Sequence, residues 1–204
     1  MAHAYHEIAF TPRVKALQVQ HGSRASYERF EDGPQTGNRI GLREAAFIAE
    51  RDSFYLASVS ETGWPYVQHR GGPKGFLKAL DEGTLGFADF SGNRQYLTLA
   101  NTGADNRVSL FLMDYTRRAR LKILGRMRVI DPTDEETLAS LDVPAYRARV
   151  ERDIAIDVAA VDWNCPQHIT PRFTQAEIAE AVQPLQARIA ELEAALVAHG
   201  MAGE

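Results

Sequence analysis

The sequence predicts a mainly β chain, an antiparallel barrel with peripheral helices and a C-terminal helical extension. Three observations predict it. Six or so apolar segments follow one another from Ser53 to Val161 with the alternation of half-buried strands. The turns between them are short, which favours antiparallel neighbours over a parallel sheet. Beyond residue 173 the period changes from two to a heptad.

The elements follow in order. Thr11-Pro12 reads as an N-cap with proline at the first helical position, opening a short helix with Val14 and Leu17 inward. Residues 22–40 are rich in Gly, Ser, Asp, Pro and Asn and read as a loop. Leu42 to Glu50 has helical spacing, with Leu42, Ala45, Ala46 and Ala49 on one face, widened by Phe47 and Ile48. Phe54–Val59 and Trp64–His69 form a hairpin around Ser60-Glu-Thr-Gly63, whose glycine suits a left-handed turn position. Phe76–Leu80 and Thr84–Phe90 are strands around Asp81-Glu-Gly83. A helix after Asn93 stops near Asn101-Thr-Gly103. Arg107–Tyr115 and Arg118–Ile130 are longer strands joined by a tight basic turn. Asp131–Glu136 opens a short helix, and Arg152–Val161 alternates as a strand with two distinct faces.

Thr174-Gln-Ala-Glu177 fits a capping box for the last helix. Ile178, Val182, Leu185, Ile189, Leu192 and Leu196 then alternate steps of four and three, a heptad seam. Such a seam fits a dimer coiled coil or a helix packed on its own barrel. Pro184 should kink the helix or start a second segment. The organisation is therefore an N-terminal helix and loop (1–41), a barrel domain (42–173) and a helical tail (174–204).

The 204 residues suit one domain with an extension. A net charge of −4 does not imply bulk nucleic-acid binding. No apolar run approaches the ~20 residues of a membrane span, and no secretory signal is visible. The single cysteine, Cys165, excludes an internal disulfide. A cytoplasmic location is the expectation. The sequence lacks CxxC, HExxH, a phosphate-binding GxxxxGK[ST] loop, GxGxxG after a first strand and a GxSxG elbow. The histidines are scattered, and His3 and His6 fall in a terminus expected to be mobile, so no metal is expected.

Four clusters could carry chemistry. In Gly86-Phe-Ala-Asp-Phe-Ser-Gly-Asn-Arg-Gln95 a buried strand runs into a helix start, with Ser91-Gly92-Asn93 as turn and cap. Arg94 would lie in the first helical turn, where a cation opposes the dipole unless an anion binds there. The bland alternative is a surface arginine after a turn. Gln68-His69-Arg70 precedes Gly71-Gly72-Pro73-Lys74, where glycines admit close backbone approach; a solvated hairpin end explains it equally. Arg118, Arg120 and Lys122 alternate and so share one strand face, where like charges repel unless an anion or acid offsets them. Trp163, Cys165, Gln167 and His168 lie in a loop stiffened by two prolines; Trp163 offers a stacking plane, or simply docks the loop. No base is placed for Cys165, which reads as inert.

Together these segments resemble the pyridoxamine 5′-phosphate oxidase-like family of FMN-binding split-barrel flavoproteins. The resemblance runs from about Leu42 to Phe173. It rests on Gln68-His-Arg-Gly-Gly-Pro-Lys-Gly-Phe, Phe87-Ala-Asp-Phe-Ser-Gly-Asn-Arg-Gln-Tyr, Leu112-Met-Asp-Tyr, Arg120-Leu-Lys-Ile-Leu-Gly-Arg and Trp163-Asn-Cys-Pro-Gln-His-Ile. It implies an antiparallel split β-barrel working as a homodimer, with FMN at the interface. By position it assigns Gln68, His69, Arg70 and Lys74 to the flavin edge. It assigns Asn93, Arg94 and Gln95 to the phosphate, Gln95 standing where the family usually places lysine. It assigns Arg120 and Lys122 to flavin contacts from the partner subunit, and Trp163 to closing the site. Gln167 and His168 fall on the substrate side. The oxidases' C-terminal Arg-Leu-His pattern is missing, so the substrate is open and no catalytic residue is assigned. The expected function is a flavin-dependent oxidoreductase of a small molecule. The alternatives are a non-catalytic flavin-binding or storage module and a split barrel using deazaflavin F420 or haem.

Overall fold

The computed structural model describes residues 3–144, 146–163, 166–198 and 200. The chain divides into two compact units, Met1–Asp114 with Ala119–Pro166, and Tyr115–Arg118 with Gln167–Glu204.

The first unit is an antiparallel split β-barrel. Its seven strands are β1 (Ser53–Val59), β2 (Pro65–Gly71), β3 (Lys78–Ala79), β4 (Thr84–Phe90), β5 (Arg107–Asp114), β6 (Ala119–Val129) and β7 (Val150–Trp163). They are hydrogen-bonded in the order β2-β1-β5-β6-β7-β4-β3. β5 is buried at every second residue, as a strand with one core face should be. Phe54, Leu56, Leu110, Leu112, Leu121, Ile123, Ile154 and Ile156 send their side chains into one core. β4 is buried along both faces: its far face at Gly86 abuts Leu80 and Leu141, and a Cβ at Gly86 would lie 2.8 Å from Leu141 Cδ2.

The sheet is not closed by backbone pairing. β2 and β4 are not hydrogen-bonded neighbours, yet Arg70 of β2 forms an ion pair with Asp89 of β4. Side chains, not a ladder, bridge the two halves of the sheet.

The helices are α1 (Ala4–Ala9), α2 (Pro12–Gln20), α3 (Arg24–Glu28), α4 (Leu42–Ala49), α5 (Leu97–Ala104), α6 (Glu135–Leu141) and α7 (Gln175–Ala198). Thr11 caps α2 as expected, accepting from the Val14 amide. Of the two residues expected inward, Val14 is half-buried, whereas Leu17 is 48% exposed. α1, and α3 inside the expected loop, carry too few residues to show a period. On α4 the buried residues are Phe47 and Ile48, while Leu42 is 94% exposed. Ala46 and Ala49 are exposed as well and only Ala45 of that stripe packs on the core, so Phe47 and Ile48, with the larger apolar area, set the inward face.

Two further expectations are corrected. The helix after Asn93 begins only at Leu97, behind Tyr96 in a left-handed conformation (φ 56°), so Arg94 is not in its first turn. Arg94 itself has φ 58° and belongs to the turn. Arg118 likewise sits at φ 51° in the turn before β6, so it does not share the strand face of Arg120 and Lys122.

In the second unit, the capping box forms as read: the Glu177 amide donates to Thr174 Oγ1 at 3.2 Å, and the Thr174 amide donates to Glu177 Oε2 at 2.7 Å. The guanidinium of Arg172 lies over the Tyr115 ring at 4.6 Å. α7 is one helix with Pro184 inside it, so the proline does not start a second segment. None of its residues is buried, and its seam is open, from Val182 at 36% to Leu185 at 64% exposed.

Candidate functional site

A cleft of about 190 Å³ opens where β2, the end of β4, the start of β7 and the turn before α5 meet. It brings together two of the sequence clusters, Gln68 and Arg70 with Asn93 and Arg94. Period-two alternation on β2 aims Gln68 and Arg70 to one side and His69 to the other. The His69 ring instead meets Tyr55 edge-on at 5.6 Å.

The cleft holds residues that sequence reasoning missed: Asp89, Tyr96, Thr98, Glu151 and Arg152. Asp89 is buried and accepts from Arg70 on Oδ1 and from Arg152 Nη1 on Oδ2 at 2.6 Å. Asp89 and Arg152 are cross-strand partners of β4 and β7. That pairing spans a long sequence separation, so no local pattern announces it. Arg152 also donates to Glu151 Oε2 at 2.8 Å, and Glu151 accepts from Ser91 Oγ at 2.9 Å. Thr98 Oγ1 donates to Gln68 Oε1 at 2.7 Å and fixes that side chain. Arg94 donates through Nε to Tyr96 Oη at 2.9 Å and lies 3.7 Å from Glu151.

The electrostatics are those of a cationic cleft with partial internal neutralisation. Three guanidiniums (Arg70, Arg94, Arg152) face two carboxylates (Asp89, Glu151). The Ser91 hydroxyl first, then Arg152 and Arg94, hold the Glu151 carboxyl below its usual range. Burial pulls the Arg152 guanidinium down, but its bonds to Asp89 and Glu151 outweigh this and raise it. Both keep their charges at neutral pH. Arg70 Nε is buried and finds no hydrogen-bond partner among the described residues. Arg94 is the most available cation, with its side chain 70% exposed.

The remaining predicted residues lie elsewhere in the chain. Lys74 is exposed on the loop after β2, and Gln95 bonds with Asn93; neither lines the cleft. Arg120 and Lys122 lie on β6 beside the far end of β7, where Lys122 pairs with Asp162 at 2.7 Å. Arg120 Nε is buried and without a hydrogen-bond partner among the described residues. Trp163 docks on α4: it donates to Glu44 Oε1 at 2.5 Å, stacks under Arg43 at 4.1 Å and meets Phe47 edge-on at 4.9 Å. Its ring face is thus taken within its own chain, as the docking alternative has it. Gln167 and His168 are exposed and belong to the second unit, with His168 at φ 62°. Cys165 lies outside the described residues.

A family model described as pyridoxamine 5′-phosphate oxidase matches residues 43–170, more than half of the chain. The chain belongs to the pyridoxamine 5′-phosphate oxidase family. Similar solved structures include a putative pyridoxamine 5′-phosphate oxidase of Lactobacillus delbrueckii, 19% identical, with a TM-score of 0.46, 61% of this chain covered and 94% of that one. An FMN-binding protein of Syntrophomonas wolfei is 12% identical, with a TM-score of 0.42, covering 75% of this chain and 95% of that one. A protein titled F420 reductase is 21% identical, with a TM-score of 0.39, covering 57% of this chain and 93% of that one. Among the curated proteins none matches. No helix among the described residues is long and apolar enough to cross a membrane.

Proposed function

We propose that this chain binds FMN as a homodimer in the cytoplasm and serves as a flavin-dependent oxidoreductase of a small molecule. The observation that carries the reading is the convergence of Gln68, Arg70, Asn93 and Arg94 on one cationic cleft. A phosphate monoester fits this donor set, because guanidinium groups bind phosphate through charge-assisted hydrogen bonds. Arg94 and Asn93 would hold the phosphate, and the unpartnered Arg70 Nε supplies a further donor. Arg152 is held by Asp89 and Glu151 and acts by its field.

The cleft at about 190 Å³ is smaller than the roughly 300–1,000 Å³ of sites that enclose a whole small molecule. It suits the phosphate and its arm; the flavin ring requires surface from a second copy. Arg120 and Lys122, which lie away from the cleft in their own chain, are the residues we assign to that role. Bound flavin would supply hydride or two-electron chemistry. The chain's own residues grip the phosphate, orient the ring and keep positive charge beside it.

The seam of α7 supports pairing of two copies. With Val182, Ile189 and Leu196 at heptad position a and Ile178, Leu185 and Leu192 at d, the a layer is mostly β-branched and the d layer mostly leucine. That choice favours parallel two-stranded coils. In a parallel pair Arg188 at g faces the partner's Glu193 at e, an attractive contact.

The test is the absorption of the purified protein and the mass of whatever co-purifies. A band at about 450 nm and the mass of FMN are expected. Bleaching by a nicotinamide donor would favour the enzyme over a storage module. A haem band, a deazaflavin or a colourless protein that takes up no FMN would overturn the reading.

A further inference from the structure

His3 and His6, expected in a mobile terminus, instead belong to the cap and body of α1. His3 precedes α1 as its N-cap and His6 lies on the first turns, so the two are three residues apart on one face. Their rings stack with centroids 4.6 Å apart. Asp162 of β7 joins them: one possible ligand atom from each of His3, His6 and Asp162 lies within 4.8 Å of the other two. Nδ1 of both histidines is buried and has no hydrogen-bond partner among the described residues. A buried nitrogen left without a partner is costly, and an ion is one of the standard reasons to find such atoms together.

The surroundings hold the cluster in place. Phe10 stacks on His6 at 4.3 Å, and Tyr27 and Phe30 present their edges, each at 5.8 Å. A Cβ on Gly37 would lie 2.9 Å from His3 Cε1, and Gly37 has φ 69°, so glycine both makes the turn and leaves space for the ring. The Ala4 amide donates to Thr36 O at 2.8 Å and the Val161 amide to Gly37 O at 2.7 Å, tying α1 and β7 to the same loop.

We propose that His3, His6 and Asp162 form a site for a divalent transition ion of the zinc class, which staples α1 to the end of β7. Two imidazole nitrogens and one carboxylate oxygen suit zinc; magnesium and calcium take oxygen sets. Three protein ligands leave the fourth tetrahedral position to water. The charge that opposes the ion is Lys122, whose ammonium holds Asp162 through Oδ2 at 2.7 Å and lies over the Tyr5 ring at 4.3 Å. Lys122 and the metal therefore compete for one carboxylate.

The experiment titrates chelator-treated, untagged full-length protein with Zn²⁺ alone by calorimetry, with Mg²⁺ as the comparison. Saturation at one Zn²⁺ per chain and no Mg²⁺ binding are expected. His3→Ala, His6→Ala and Asp162→Asn should each weaken zinc binding at least about tenfold, and His21→Ala should leave it unchanged. Lys122→Met, which keeps the histidines and frees the carboxylate, should tighten it. Zinc should raise the melting temperature of the wild type and not of the His3→Ala/His6→Ala protein. Zinc binding undiminished in the double variant, no zinc binding by the wild type, or a Lys122→Met protein that binds zinc less tightly would overturn the site.

Discussion

The proposed anion site turns on one side chain, Arg94. It is exposed, its guanidinium is engaged by a tyrosine hydroxyl and a distant carboxylate, and the left-handed turn holds it over the cleft. Arg94→Ala should lower FMN affinity by about 10- to 100-fold, the worth of one charge-assisted hydrogen bond at about 1.5–3 kcal/mol. Glu151→Gln should act in the opposite sense and tighten FMN, since it removes the carboxylate that competes with phosphate for Arg94 and Arg152. Fluorescence titration with the two variants reads both effects. Arg107 holds the Asp105 carboxyl at a pKa of about 2, by hydrogen bonds first. A depressed carboxylate stabilises the fold above its ordinary pKa of about 3.8 and loses that contribution as pH falls to about 2. Asp105→Asn should therefore lower the stability at neutral pH and lose most of that difference from the wild type as pH falls to about 2. A denaturant series at the two pH values checks it. At this scale the sequence was half legible. Gln68, Arg70, Asn93 and Arg94 stand in readable local motifs, whereas Asp89 and Arg152 matter only through a register between distant strands.

Among the elements, the strands were the most legible, because β1, β5 and β6 each alternate over enough residues to define a face. The short helices were not, and neither was the turn before α5. Its two left-handed residues, Arg94 and Tyr96, are not glycines, so nothing in their type warns that the helix starts late. α7 was legible in period but not in partner. Its open seam and the a/d arrangement lead to a specific expectation. Leu192→Cys should form an interchain disulfide under mild oxidation, because a d residue meets itself in a parallel pair. A non-reducing gel, with Cys165→Ser in the background, would show a covalent dimer. An antiparallel pair would leave the two Leu192 positions far apart and the band absent.

The whole molecule joins an incomplete barrel to an incomplete site. The split between β2 and β4 is bridged by Arg70 and Asp89, so the ion pair that holds the two halves together also lines the cleft. On the proposed function, the cleft of about 190 Å³ with its three guanidiniums would take the phosphate and leave the ring to be covered by other surface. Arg120 and Lys122, which the family resemblance assigns to the flavin but which lie away from this cleft, are the surface that a second copy brings in the proposed function. The most direct measurement compares the affinities of the protein for FMN and for riboflavin, which differ only in the phosphate. The account predicts that FMN binds at least about tenfold more tightly and that Arg94→Ala abolishes most of the difference. Equal affinities for the two, or no binding of either, would contradict it.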